Sequence, residues 1–168
     1  MTRKLSLLVF LAMLAAACIN QRVRLSAADR IFSSRLSGQW TAQYSLTISP
    51  LFISDAKRLQ QVAGRLVLLA NTSVTARYTG LGPVTNYGSY SIDFSRFGLP
   101  LTSGSIPPSV VVASIGEDSA KILLDANRAE GPITMIGKVS GDSIEGTWTF
   151  DLGRGGSVGG SFVMTKSR

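Results

Sequence analysis

The chain has 168 residues, with 17 basic side chains against 10 acidic ones, no histidine and one cysteine, for a net charge of +7 and a mean hydropathy of +0.23. Without histidine the commonest general base and the usual zinc, copper and haem ligand are missing, so no metal, no cofactor and no histidine-dependent catalysis is expected. The positive charge is scattered along the chain rather than gathered into a patch, which argues against a nucleic-acid partner.

The N-terminus carries Arg3 and Lys4, then an apolar run from Leu5 to Leu14, then Ala15, Ala16 and Ala17 ahead of Cys18. This is the layout of an export signal, and the run is well short of the ~20 apolar residues that cross a bilayer. Ala15-Ala16-Ala17 satisfies the small-residue rule of an ordinary cleavage site. The same residues followed by Cys18 resemble the lipobox of bacterial lipoproteins, with Ala15 where that family most often has leucine. The resemblance implies removal of residues 1–17, a lipid on the Cys18 sulfur and a protein anchored to a membrane. Ile19, rather than an aspartate, after the cysteine implies the outer membrane, on its periplasmic or surface side, in a cell with two membranes. An ordinary secreted protein is the alternative. Acylation also suits the chemistry, because a lone exported thiol has no disulfide partner and is open to oxidation.

Residues 18–36 read as the lipidated cysteine and a basic spacer containing Arg22, Arg24, Arg30 and Arg35. These arginines are either a solvated linker or a source of attraction to anionic headgroups, at about 1 kcal/mol per charge near the surface. Within the spacer, Ser26-Ala27-Ala28-Asp29 has the form of a helix start, with Ile31, Phe32 and Leu36 following at helical spacing. The 150 residues beyond Cys18 suffice for one domain.

From residue 37 to 168 the period is two. In "SGQWTAQYSLTIS" the even positions are Gly38, Trp40, Ala42, Tyr44, Leu46 and Ile48 and the odd ones are polar, the pattern of a half-buried antiparallel strand. Further strands are predicted over 62–70, 73–78 and 90–97, with a hairpin at 110–115 and 120–126. Three hairpin-linked strands at 133–139, 144–150 and 158–164 complete the chain. Residues 50–61 hold a short helix from Ser54, residues 80–88 read as a glycine-rich loop, and 98–108, with three prolines, as a long irregular loop. About eight or nine strands at this spacing predict an all-β fold, an antiparallel up-and-down meander closed into a small barrel, with a β-sandwich as the alternative. At 8% aromatic residues the chain is too poor in them for the girdles of a transmembrane barrel.

Gly38-Gln39-Trp40, at the start of the first strand, resembles the G-x-W signature of the calycins, the lipocalin and avidin group of small barrels. The resemblance implies that Trp40 plugs one barrel end and that a basic residue of the last strand, Lys166 or else Arg168, packs over its ring. It also implies an interior able to hold a small apolar ligand or lipid, for which Trp40, Tyr44, Tyr90, Phe94, Trp148 and Phe162 are the candidate lining. Each of these side chains is equally accounted for as core. Gly146-Thr147-Trp148-Thr149 echoes Gly38-Gln39-Trp40-Thr41, which places the two tryptophans close together if the first and last strands meet.

Catalytic patterns fail on context. Gly155-Gly156-Ser157-Val158-Gly159 fits G-x-S-x-G but leads into a strand in a chain without histidine. Asp142 belongs to a turn, and Glu145, Asp93 and Asp125 to polar strand faces. The expected function is therefore non-catalytic: a membrane-tethered lipoprotein whose barrel binds a small apolar ligand or lipid. The alternative is a structural or interaction lipoprotein of the envelope that meets another protein.

Overall fold

The structure, a computed structural model, describes residues 24–48, 61–71, 77–78, 82–97, 109–125, 131–153 and 156–167. In chain order these form α1 (Ala27–Leu36), β1 (Gly38–Ile48), β2 (Gln61–Ala70), β3 (Arg77–Tyr78), β4 (Gly82–Ile92), a 3-10 turn η1 (Phe94–Phe97), β5 (Val110–Gly116), β6 (Ser119–Leu124), β7 (Ile133–Ser140), β8 (Ser143–Asp151) and β9 (Ser157–Lys166). Every strand pairing is antiparallel. The order β2-β1-β9-β8-β7-β6-β5-β4 closes on itself through β2–β4, where Leu69 lies opposite Tyr87 and Leu66 opposite Tyr90. The two-residue β3 adds a rung beside the start of β4. The fold is thus a closed eight-stranded up-and-down barrel rather than a sandwich. Closure removes the unpaired edges that a sandwich must otherwise protect.

Alternation decides which side chains enter the barrel. Trp40, Ala42 and Tyr44 of β1 are completely buried, while Thr41, Gln43 and Thr47 between and beyond them are exposed. The same two-residue period runs through β7 and β8, where Met135, Val139, Ile144, Trp148 and Phe150 point inward. Val110 and Val112 of β5 and Ile122 and Leu124 of β6 complete the wall.

Helix α1 starts where its sequence indicates. The Ser26 hydroxyl accepts from the Asp29 amide at 3.1 Å, and the Asp29 carboxylate accepts from the Ser26 amide at 3.2 Å, a reciprocal cap. Phe32 and Leu36 then drop into the barrel core. The packed unit therefore starts ahead of the boundary expected at residue 37, and residues 27–36 are part of the fold rather than a spacer. An amphipathic helix with two large apolar residues at i and i+4 gains more from docking on an open barrel end than from solvation.

Two further expectations are corrected. The stretch read as a loop over 80–88 is strand from Gly82 onward. Its glycine Gly88 marks close approach rather than a turn, because a Cβ there would lie 1.9 Å from the Val67 carbonyl oxygen of β2. The strand expected over 90–97 ends at Ile92, and Phe94–Phe97 is η1. Asp93 causes the break: its carboxylate accepts from the Ser95 amide at 3.2 Å and from the Ser95 hydroxyl, a local turn that competes with the ladder. The helix expected from Ser54 and the loop at 98–108 lie outside the described residues.

η1 folds back into the lumen. Phe97 stacks on Trp148 with ring centroids 5.4 Å apart and planes 9° from parallel, and Phe94 meets Tyr44 edge-on at 5.0 Å. Replacing Phe97 by Ala is expected to cost about 3–5 kcal/mol, because a fully buried ring leaves a cavity its rigid surroundings cannot close. Ile136→Ala, at a 48% exposed position of the outer wall, is expected to cost less than about 0.5 kcal/mol. Urea unfolding of the two variants checks the pair.

Candidate functional site

Two groupings of side chains stand out, one at each end of the barrel. At the α1 end the helix leaves its last four carbonyls without intrahelical donors. Ser33 O accepts from the Ser37 amide, from the Ser37 hydroxyl at 2.8 Å and from Asn86 Nδ2 at 2.9 Å. Ser34 O accepts from the Ser37 amide at 3.3 Å. Arg35 O accepts from Lys166 Nζ, and Leu36 O from Trp40 Nε1, each at 2.8 Å. Four strand or cap residues thus satisfy the whole helix terminus, and the Lys166 ammonium also sits favourably at the negative end of the helix dipole.

Gly38, Trp40 and Lys166 meet at this end. Lys166 lies opposite Trp40 in the β1–β9 ladder, and its Nζ is 5.8 Å from the centre of the Trp40 ring. Gly38 adopts φ +131°, a backbone conformation that favours glycine, and lies against the end of the Lys166 side chain, whose Cε would be 2.9 Å from a Cβ there. The β4–β5 register shifts at a β-bulge between Val84 and Asn86, and two carbonyls there take side-chain donors. Thr85 O takes the Ser33 hydroxyl at 2.6 Å, and Val84 O takes Asn71 Nδ2 at 2.9 Å. The Asn86 amide oxygen, completely buried, has no donor among the described residues.

The second grouping fills the lumen toward the other end. Tyr44, Tyr90, Phe94, Trp148 and Phe162 are joined by ring contacts of 5.0 to 6.5 Å, and Phe97 joins them through Trp148 and Phe94. Five of the six candidate lining residues are therefore together, but Trp40 is not one of them. Trp40 faces Lys166 whereas Trp148 faces Gly160, six positions away along β9 or ~20 Å at the rise of a strand. The first and last barrel strands do meet, yet the two tryptophans stand toward opposite ends. Phe97 was not foreseen as a lumen residue. Its signal was the i, i+3 spacing from Phe94 immediately after a turn-forming aspartate.

Polar groups at this end are few and engaged. The Tyr44 hydroxyl reaches only the Met135 sulfur, at 3.6 Å, and burial, reinforced by the facing Tyr90, pushes its phenol far above the ordinary tyrosine range. Tyr90 donates to the Asp125 carboxylate at 2.7 Å, and Asp125, at φ +54°, accepts a second bond from the Ser109 amide at 3.3 Å. Asp93 and Asp125 are thus turn residues after β4 and β6 rather than members of polar strand faces. Asp142 supplies a turn carbonyl to the Lys166 amide at 2.8 Å, and Glu145 is exposed on the outer wall. Ser157 opens β9 as an exposed strand residue. Among the described residues no three carboxylates or thiols gather in a way that would hold a metal. Cys18 and Arg168 lie outside the described residues.

The site defines the class of molecule as a small closed β-barrel with a packed aromatic lumen and one helix-capped end. Comparison of the chain with protein-family models, with characterised proteins and with solved structures finds no match in any of the three.

Two outcomes follow from these contacts. Lys166→Met keeps the stem over Trp40 but removes the ammonium from both the ring and Arg35 O, and is expected to cost about 1–2 kcal/mol. The control Lys138→Met, at an exposed position, is expected to change stability by less than about 0.5 kcal/mol in the same urea titration. For Tyr44 the folded protein holds its proton where the unfolded chain releases it near pH ~10, so stability falls as pH rises past that value. Tyr44→Phe is expected to flatten this decline, read as the difference in urea midpoint between about pH 9 and about pH 11 for the variant and the parent.

Proposed function

We propose that this protein is an exported, lipid-tethered barrel that works through its outer surface, as a structural or interaction component of the cell envelope, without catalysis. The observation that carries this reading is a continuous apolar row on the outside of the barrel. Leu69 of β2 faces Tyr87 of β4, Tyr87 faces Val111 of β5, and Val111 faces Leu123 of β6. Val111 lies between the inward Val110 and Val112, so the row is on the outer wall. Leu69, Tyr87 and Val67 are 64%, 39% and 37% exposed, whereas Val111 and Leu123 are covered, at 5% and 7%, so the open part of the row is its β2–β4 end. Adjoining exposed apolar side chains such as Leu69, Tyr87 and Val67 favour contact with another protein, and Ile136 and Val163 stand exposed elsewhere on the wall. The tether rests on the lipobox-like Ala15-Ala16-Ala17-Cys18, and Ile19 after the cysteine supports the outer membrane in a cell with two membranes.

A second reading, a small apolar ligand or lipid in the lumen of a calycin-like barrel, is favoured by one feature. The rings of Phe94 and Phe97 that fill the lumen are carried by η1 rather than by the wall, so an apolar ligand that displaced this turn would find a ready site. Against it stands the packing of those rings, which a ligand would have to repay.

Native mass spectrometry of the protein extracted from its own membrane with mild detergent tests both. The expected mass starts at Cys18 with acyl chains added and no small passenger. Chemical crosslinking before extraction is expected to yield a heavier species that Leu69→Asp abolishes. A stoichiometric apolar passenger would replace this reading with the ligand reading, and a mature chain without acyl groups would remove the tether.

A further inference from the structure

We propose that the barrel end closed by α1 is a lipid-docking surface, with Ile31 and Ile115 entering the apolar layer of the bilayer. The inference rests on the tethered reading above and adds to it the orientation of the molecule. Five residues lie between Cys18 and Arg24, where the described chain begins, and the six residue steps reach at most ~22 Å when extended. The 11 residues of β1 extend ~36 Å. A lipid on Cys18 therefore holds the α1 end near the bilayer and keeps the opposite end away when the barrel stands upright.

The surface brought there is apolar where it protrudes. Ile31, on the outer side of α1, is 66% exposed, the largest exposure of any large apolar side chain among the described residues. Ile115, in the bulge at the end of β5, is 47% exposed. Between α1 and the β5–β6 turn runs a groove of about 480 Å³ whose walls include Ala28, Ile31, Phe32, Ser114 and Gly116, while the Ile115 side chain stands outside it on the exposed rim. Charges around it are mostly acidic and give no attraction to anionic headgroups. Asp29, Arg35 and Glu117 also line the groove, and Arg35 pairs with Asp118 at 3.2 Å in an exposed bridge of little energetic value. Docking at this end is accordingly driven by apolar insertion, with the exposed Arg24 and Arg30 at headgroup level.

The test uses the mature chain, residues 18–168, coupled through the Cys18 thiol to maleimide-bearing lipid in phosphatidylcholine vesicles whose acyl chains are brominated. Bromine quenches tryptophan only in the apolar layer, and the native Trp40 and Trp148 are fully buried. An Ile115→Trp variant is expected to shift its emission to the blue and lose roughly half of the added fluorescence. An Ile136→Trp variant, on the outer wall away from this end, is expected to lose none. Ile31→Asp introduced beside Ile115→Trp is expected to restore the emission. Absence of quenching at position 115, or equal quenching at 136, overturns the orientation. Because the tether here is chemical, that failure is separate from failure of natural acylation, which the mass of the extracted protein reports.

Discussion

The C-terminus of α1 is the constraint from which one end of this molecule is built. A helix that ends against a barrel must bury carbonyls that no longer have donors, and each buried orphan costs about 1–3 kcal/mol. Here the donors come from four places: Ser37 in the cap, Trp40 on β1, Asn86 on β4 and Lys166 on β9. Those strands are distant in sequence, so the helix can be satisfied only when the barrel is closed around it. Trp40 serves twice, as the apolar plug beneath the helix and as the donor to Leu36, which explains why a tryptophan rather than a phenylalanine stands there. The buried Asn86 oxygen is an acceptor without a donor among the described residues, its amide nitrogen being committed to the helix.

The opposite end is closed by different means. Eight strands enclose a lumen just wide enough for side chains, so the question at any such barrel is whether the chain fills its own interior. This chain does so with rings, and it recruits two of them, Phe94 and Phe97, from outside the wall. The fill is nearly free of polar groups. The Tyr44 hydroxyl, held against a sulfur, is a weakly bonded polar atom in an apolar stack, and its reluctance to ionise follows directly from that setting.

Much of the wall was legible from residue order alone. The alternation of β1 from Gly38 to Ile48, the hairpins around Gly141 and between β5 and β6, and the Ser26 to Asp29 helix start are all local signals, and each is found close to where it was read. The proximity of Gly38, Trp40 and Lys166 was suggested by a three-residue resemblance, and β1–β9 pairing brings them together. What local patterns did not convey were events caused by distant neighbours. Gly82 to Gly88 looks like a loop until β2 is laid beside it, because glycine serves a turn and a close strand approach equally well. Phe94 continues the face of Tyr90 and Ile92 while Phe97 falls on the other face of an extended strand, and the two come together only when Asp93 turns the chain. The helix looked like spacer because nothing near it in sequence announces an open barrel end to be covered.

The β1–β9 ladder also dictates when this protein can fold. It joins Trp40 to Lys166, so the first wall strand waits for the last ten residues before its second neighbour exists. A chain emerging from its N-terminus carries β1 to β8 as an open, curved sheet with the backbone edges of β1 and β8 unpaired and its apolar inner face incompletely covered. Closure is a late, long-range step, of the kind that makes β-rich chains slow to fold and dependent on protection while incomplete. The loss of even a few residues from the C-terminal strand would therefore act on the whole ring at once, leaving a sheet that has never been a barrel.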